Sequence, residues 1–185
     1  MGMPRETSER SAVEVRFAEV FGHLGLIRAY ASRRGAHDAD VIAAEVMAIA
    51  WRRLADVPRD DPRPWLIGTA RNLVLADRRR HRMRLQDLEG VEPAAPSEPL
   101  PPALELDAEL EWALASLSER DREALLLVAW DDLTPAAAAA SLGISGAAFR
   151  VRLHRARRRL ARVLESHPHG HTLDNCQPSW SGYDL

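Results

Sequence analysis

Along residues 13–84, large apolar side chains recur at steps of three and four. Phe17, Val20, Phe21, Leu24 and Ile27 fall on one stripe, and Val41, Ala44, Met47, Ala48 and Trp51 with Leu54 on another. That spacing places each set on one side of an amphipathic helix, so two helices are predicted here. The segment VPRDDPRP then breaks the pattern, because proline lacks an amide donor and disfavours helix in the residue before it. A third helix is predicted from residue 65 to about 82; it starts apolar (Trp65, Leu66, Ile67, Leu73, Val74) and turns basic at RRRHRMR.

Residues 89–103 (EGVEPAAPSEPLPPA) are rich in proline and alanine and lightly acidic. They hold too few large apolar groups to offset the entropy of ordering, so they read as a flexible linker. A second helical unit is predicted over residues 104–165, and its punctuation is explicit. Ser118 with Asp121 three positions on has the form of a capping box before ALLLVAW. Thr134 before Pro135 is an N-cap with proline at the first helical position. Gly143 suits a left-handed helix stop, and Ser145 suits the cap of the next helix. No strand pattern, repeat or glycine-rich phosphate loop is present. The expectation is an all-α chain of two small helical domains, 13–88 and 104–165, with a disordered tail over 166–185.

Composition changes this picture only locally. The chain has 185 residues, 46% hydrophobic and 28% charged, with a formal net charge of −2. Every basic residue is arginine, yet residues 150–162 carry arginine at 150, 152, 155, 157, 158, 159 and 162 and no acid at all. A polyanion meets such local charge, not the net value. On a helix, Phe149, Leu153, Ala156, Leu160 and Val163 form the stripe that packs inward. Arg150, Val151, His154, Arg155 and Arg158 form an outer cationic face. A short helix, a turn containing glycine and a second helix with polar outward residues describe a helix-turn-helix, whose second helix enters the major groove. Arginine suits the task because its planar fork grips guanine or phosphate with two hydrogen bonds. A solvated basic helix remains an alternative, since arginines near a helix C-terminus also complement its dipole.

Other chemistries find no support in the residues. No nucleophile elbow, zinc-protease pair or carboxylate dyad is fixed by spacing, so no catalytic residue and no enzyme is expected. Cys176 has no partner for an internal disulfide. His167, His169, His171 and Cys176 do not match structural zinc spacing, and the stretch reads as tail; no metal or cofactor is expected. No run of about 18 apolar residues exists and the start lacks a secretory signal, so no membrane insertion and a cytoplasmic location are expected.

With both halves read, the sequence resembles the extracytoplasmic-function group of bacterial RNA polymerase sigma factors. The carriers are DADVIAAEVMAIAWRRL, PWLIGTARNLVLADRRR, the proline-bearing linker, and the block from ALASLSERDREALLLVAW to RRRLARVLE. The resemblance implies a promoter-specificity subunit that binds core polymerase through its clamp helices and flap. It implies Asp40, Glu45 and Arg52 as polymerase-binding, with Val41 and Ala44 where the family commonly has aspartate and glutamine. For the downstream (minus-ten) element it implies the loop 58–64 with Arg59 and Arg63, then Trp65, Arg71, Asn72, Arg78, Arg79 and Arg80, with Arg82 and Arg84 extending the cluster. Trp65 is also readable as a core side chain, Asn72 as a hydrogen-bond partner within its domain, and Asp60 and Asp61 as shaping the loop. For the upstream (minus-thirty-five) element it implies Arg150, Val151, His154 and Arg155, with Arg152, Arg157 and Arg158 on the backbone. An anti-sigma factor that masks the polymerase-binding surfaces is a further implied partner. Outside this resemblance, a stand-alone helix-turn-helix regulator that binds operators as a dimer, and a helical adaptor for an acidic protein, remain open.

Overall fold

The computed structural model describes residues 4–89 and 107–166. Among the described residues every regular element is helical and no strand occurs. The first half comprises α1 (Pro4–Phe21), α2 (Leu24–Arg33), α3 (Ala39–Arg52) and α4 (Arg63–Glu89), with a short 3-10 turn at Leu54–Asp56. The second comprises α5 (Ala108–Ala115), α6 (Glu119–Ala129), α7 (Pro135–Ser141) and α8 (Gly146–Glu165). The expected linker and tail lie outside the described residues, save Glu89 and Ser166 at their edges.

In the first half α2 packs on both α3 and α4, and α1 on α3. Val20, Ile27, Tyr30, Val46, Leu66, Ile67 and Val74 are fully buried there, each large aliphatic contributing about 1.5–3 kcal/mol over exposure. Two expectations from periodicity are corrected. The stripe from Phe17 to Ile27 is not one helix: the chain turns at Gly22 and His23, so α1 and α2 are separate. Glycine is a poor helix former, and the turn lets Val20 and Ile27 both reach the core while Phe21 stays exposed. On α3 the buried stripe is Ile42, Ala43, Val46, Met47 and Ala50. Val41, Ala44, Ala48 and Trp51 face outward instead. Both stripes have helical spacing, and the larger Ile42–Val46–Met47 side chains fill the space between α2 and α4.

The second half follows its local signals closely. The Ser118 hydroxyl accepts from the Asp121 amide, Thr134 from Ala137, and Ser145 from Ala148, so all three expected N-caps form. Asp121 does not reach back to complete a capping box. Its buried carboxylate accepts from Arg159 of α8, tying α6 to α8. Gly143 has φ +64, with its amide donating to the Ala140 carbonyl at 3.1 Å and that of Ile144 to Ala139 at 3.1 Å. This pair of bonds is the Schellman stop, which requires the left-handed residue that glycine supplies without strain. Phe149, Leu153 and Ala156 bury the inner face of α8 against α6 and α7.

The two halves are docked on each other. α4 packs on α7, and buried residues from both halves form one continuous apolar cluster. A Cβ placed on Gly68 would sit 2.9 Å from the Ser141 carbonyl oxygen, so the α4 and α7 backbones touch. Ala70, Ala138 and Ala139, all buried, permit that approach; the alanine run is thus an interface as well as a strong helix former. Around it runs a charged network. Asp131, whose side chain is 0% exposed, accepts from Arg33 at 2.5 Å and Arg34 at 2.6 Å. Arg34 also donates to Glu123 at 3.0 Å, and the Tyr30 hydroxyl donates to the same carboxylate at 2.9 Å. Burial, then the charge of Glu123, raise the Tyr30 pKa well above the ordinary phenol value. Burial works against the Arg34 charge, but Glu123 and Asp131 more than offset it and raise its pKa.

Candidate nucleic-acid interface

On α8 the packing stripe fixes which residues face out. With Phe149, Leu153 and Ala156 buried, Arg150, Val151, His154, Arg155 and Arg158 are all exposed on the opposite side. Val151 is 51% exposed, a large apolar group left in solvent among cations. The Ser145 cap and the Gly143 stop fix the angle between α7 and α8. Such a face presents guanidinium forks, an imidazole and a methyl-bearing side chain to base edges, the last suited to a thymine methyl. Arg152 departs from this face: it is half-buried and lies beside the first half.

The downstream set divides. Arg59, Asn72, Arg79 and Arg80 are exposed, Arg80 lying 3.9 Å from Asp77, and Arg82 and Arg84 are exposed further along α4. Arg63 is held by Asp61: its Nε donates at 2.9 Å and Nη2 at 3.1 Å, while the Arg63 amide donates to the same carboxylate at 3.1 Å. These hydrogen bonds lower the Asp61 pKa and raise that of Arg63, and they fold the loop back onto the first residue of α4. Trp65 is half-buried against the core, with the Arg53 guanidinium 5.7 Å from its ring centroid. Arg71 is half-buried, and Arg78 donates to Glu119 of the second half at 2.9 Å. On α3, Asp40 pairs with Arg28 at 2.7 Å, and Glu45 and Arg52 stand exposed beside the outward Val41, Ala44, Ala48 and Trp51.

Residues 107–160 match the family model of sigma-70, region 4, the segment that carries this helix pair. The fold is similar, at TM-score 0.60 and 25% identity, to the sigma factor RpoE solved with the anti-sigma factor NepR from Bartonella quintana; the match covers 80% of this chain and 96% of that one. It is also similar, at TM-score 0.55 and 25% identity, to CnrH solved with the cytosolic domain of CnrY, covering 80% of this chain and 87% of that one. In fold, and over residues 107–160 in sequence, the chain is similar to sigma factors.

In this protein the docked halves gather charges that the sequence did not relate. Arg71 and Arg78 of α4 and Arg152 of α8 line one cleft of about 390 Å³, together with Arg33, Arg34, Arg120 and Arg122. Arg122 donates to the carbonyls of Leu114, Ala115 and Leu117. Its pKa is lowered by burial and by the nearby Arg78, with Glu119 opposing. Nothing local in the sequence marks Arg33, Arg34, Arg120 or Arg122 as neighbours of Arg71 and Arg152, because the contacts span both domains. Among the described residues no group of three or more His, Cys, Asp or Glu could hold a metal ion, and no helix is long and apolar enough to cross a membrane. The tail histidines and Cys176 lie outside the described residues.

Proposed function

We propose that this protein is a sigma factor that binds core RNA polymerase in the cytoplasm, directs it to promoters carrying two separate elements, and opens DNA without chemistry of its own. The observation that carries the reading is the outer face of α8, where Arg150, Val151, His154 and Arg155 stand together in solvent on a capped helix-turn-helix. These residues read the upstream element, and Arg158 holds its backbone. The exposed Arg59, Asn72, Arg79 and Arg80 meet the downstream element. There the loop 58–64 holds a base turned out of the stack, which lowers the cost of strand opening. The apolar outer face of α3, flanked by Asp40, Glu45 and Arg52, docks on the clamp helices.

Docking of the two domains has a functional consequence under this reading. Elements about 25 base pairs apart lie roughly 85 Å from one another at 3.4 Å per pair. Domains joined face to face through α4 and α7 cannot occupy both, and Arg71, Arg78 and Arg152 face each other's domains rather than phosphate. The docked form is therefore the resting form, and polymerase binds the separated one. Because RpoE was solved with an anti-sigma factor and CnrH with the cytosolic domain of CnrY, an anti-sigma factor that holds the resting form is the expected inhibitor. The test is assembly with purified core polymerase followed by permanganate footprinting of a promoter. Stable association and reactive thymines near the start site are expected; a chain that fails to bind core overturns the reading.

A further inference from the structure

The cleft between the domains has an excess of cations that the described residues do not neutralise. Its lining holds seven arginines and two glutamates. Both glutamates are engaged, Glu123 by Arg34 and Tyr30 and Glu119 by Arg78. Asp131 beneath them is shared by Arg33 and Arg34. Arg71, Arg120 and Arg152 make no ion pair or side-chain hydrogen bond with any described residue. A second observation points the same way. Arg34 has a side chain only 7% exposed, and its Nη1 is buried with no acceptor among the described residues, as is Nε of Arg33. Buried donors in native proteins are almost always satisfied, and like charges brought this close repel unless an anion lies among them.

We propose that this cleft is a binding site for a compact oligophosphate, free or carried on a nucleoside. About 390 Å³ falls within the range of small-molecule sites. Guanidinium forks match phosphate oxygens two at a time. Arg71 comes from the first domain, and Arg120 and Arg152 from the second, so a bound oligophosphate bridges them and favours the docked form. Val74, Leu75, Leu126 and Leu142 add an apolar floor on which a nucleoside base can lie. By linkage, a ligand that prefers the docked form opposes whatever requires separation, including promoter binding. The site itself stands on the cleft's charge and not on the promoter reading, so the two fail separately.

The experiment is calorimetric titration of the full chain with sodium tripolyphosphate and with ATP, at fixed ionic strength and without added metal. Saturable binding at one molecule per chain and a rise in melting temperature are expected with at least one probe; sodium sulfate at matched ionic strength gives neither. Arg71→Ala and Arg152→Ala each weaken binding about tenfold, the scale of one lost charge-assisted contact, and Arg152→Lys weakens it less. Arg162→Ala, which removes an arginine of the same helix outside the cleft, leaves it unchanged. Circular dichroism confirms that each variant is folded. ATP binding tighter than tripolyphosphate assigns a nucleotide, and equal binding a bare oligophosphate. Absence of saturation with both, or equal affinity in Arg71→Ala, Arg152→Ala and wild type, overturns the proposal.

Discussion

Replacing Asp131 by asparagine should open the molecule rather than unfold it. In the docked form Asp131 is wholly buried and is the shared acceptor of Arg33 and Arg34, at 2.5 and 2.6 Å. An amide keeps the shape and one acceptor oxygen but removes the charge, leaving two guanidiniums of the first domain beside a neutral group. Losing one partner of a buried ion pair costs about 3–5 kcal/mol, mostly from the charge left behind. The retained carbonyl puts the expected cost near the lower end, about 3 kcal/mol. When the domains separate, all three side chains reach water and that cost disappears, so it falls almost entirely on the docking equilibrium. At about 1.4 kcal/mol per decade, the docked-to-open ratio falls roughly a hundredfold. Small-angle scattering of Asp131→Asn should give a larger radius of gyration than wild type, while far-ultraviolet circular dichroism retains its helical signal. An unchanged scattering curve with a melting temperature within a degree of wild type would refute the view that this network holds the domains together.

Three further outcomes follow from the same geometry. Gly68→Ala raises the helix propensity of α4 by about 1 kcal/mol but pushes a methyl to 2.9 Å from the Ser141 carbonyl; scattering should show opening with no loss of helix, and a compact variant would contradict the close approach. Arg155→Ala should cost roughly 1–3 kcal/mol in binding of the upstream element, read by gel shift with the holoenzyme, whereas an unaltered affinity would exclude this residue from recognition. Tyr30, with a folded-state pKa above its unfolded value, contributes stability that is complete below about pH 10 and is lost as pH rises through the folded value. Absorbance titration at 295 nm should therefore lack the Tyr30 component near pH 10 when compared with Tyr30→Phe, and its presence there would mean that the hydroxyl is not buried.

How much of this was legible in sequence depended on the range of the interaction. Ser118, Thr134, Gly143 and Ser145 declared the second domain because caps and stops act within four residues. The outer face of α8 was readable for the same reason: Phe149, Leu153 and Ala156 leave only one side for Arg150, Val151, His154 and Arg155. On α3 periodicity failed, since Val41–Ala44–Ala48–Trp51 and Ile42–Val46–Met47 are both helical stripes and only neighbours decide which turns inward. Docking was invisible altogether. Its carriers are Gly68 against Ser141 and Arg33 and Arg34 against Asp131, small or charged residues that lie far apart in the chain, the two arginines 98 and 97 positions from Asp131, where no pattern rule operates.

Run-off transcription with purified core polymerase tests the account most directly. Wild-type protein should yield a discrete transcript from its cognate promoter. That yield should fall sharply both when Arg150 and Arg155 are replaced by alanine and when the upstream element is scrambled, with no additional loss when the two changes are combined. A transcript that is absent with wild type, or that is indifferent to the α8 residues, would contradict the assignment of promoter reading to that helix.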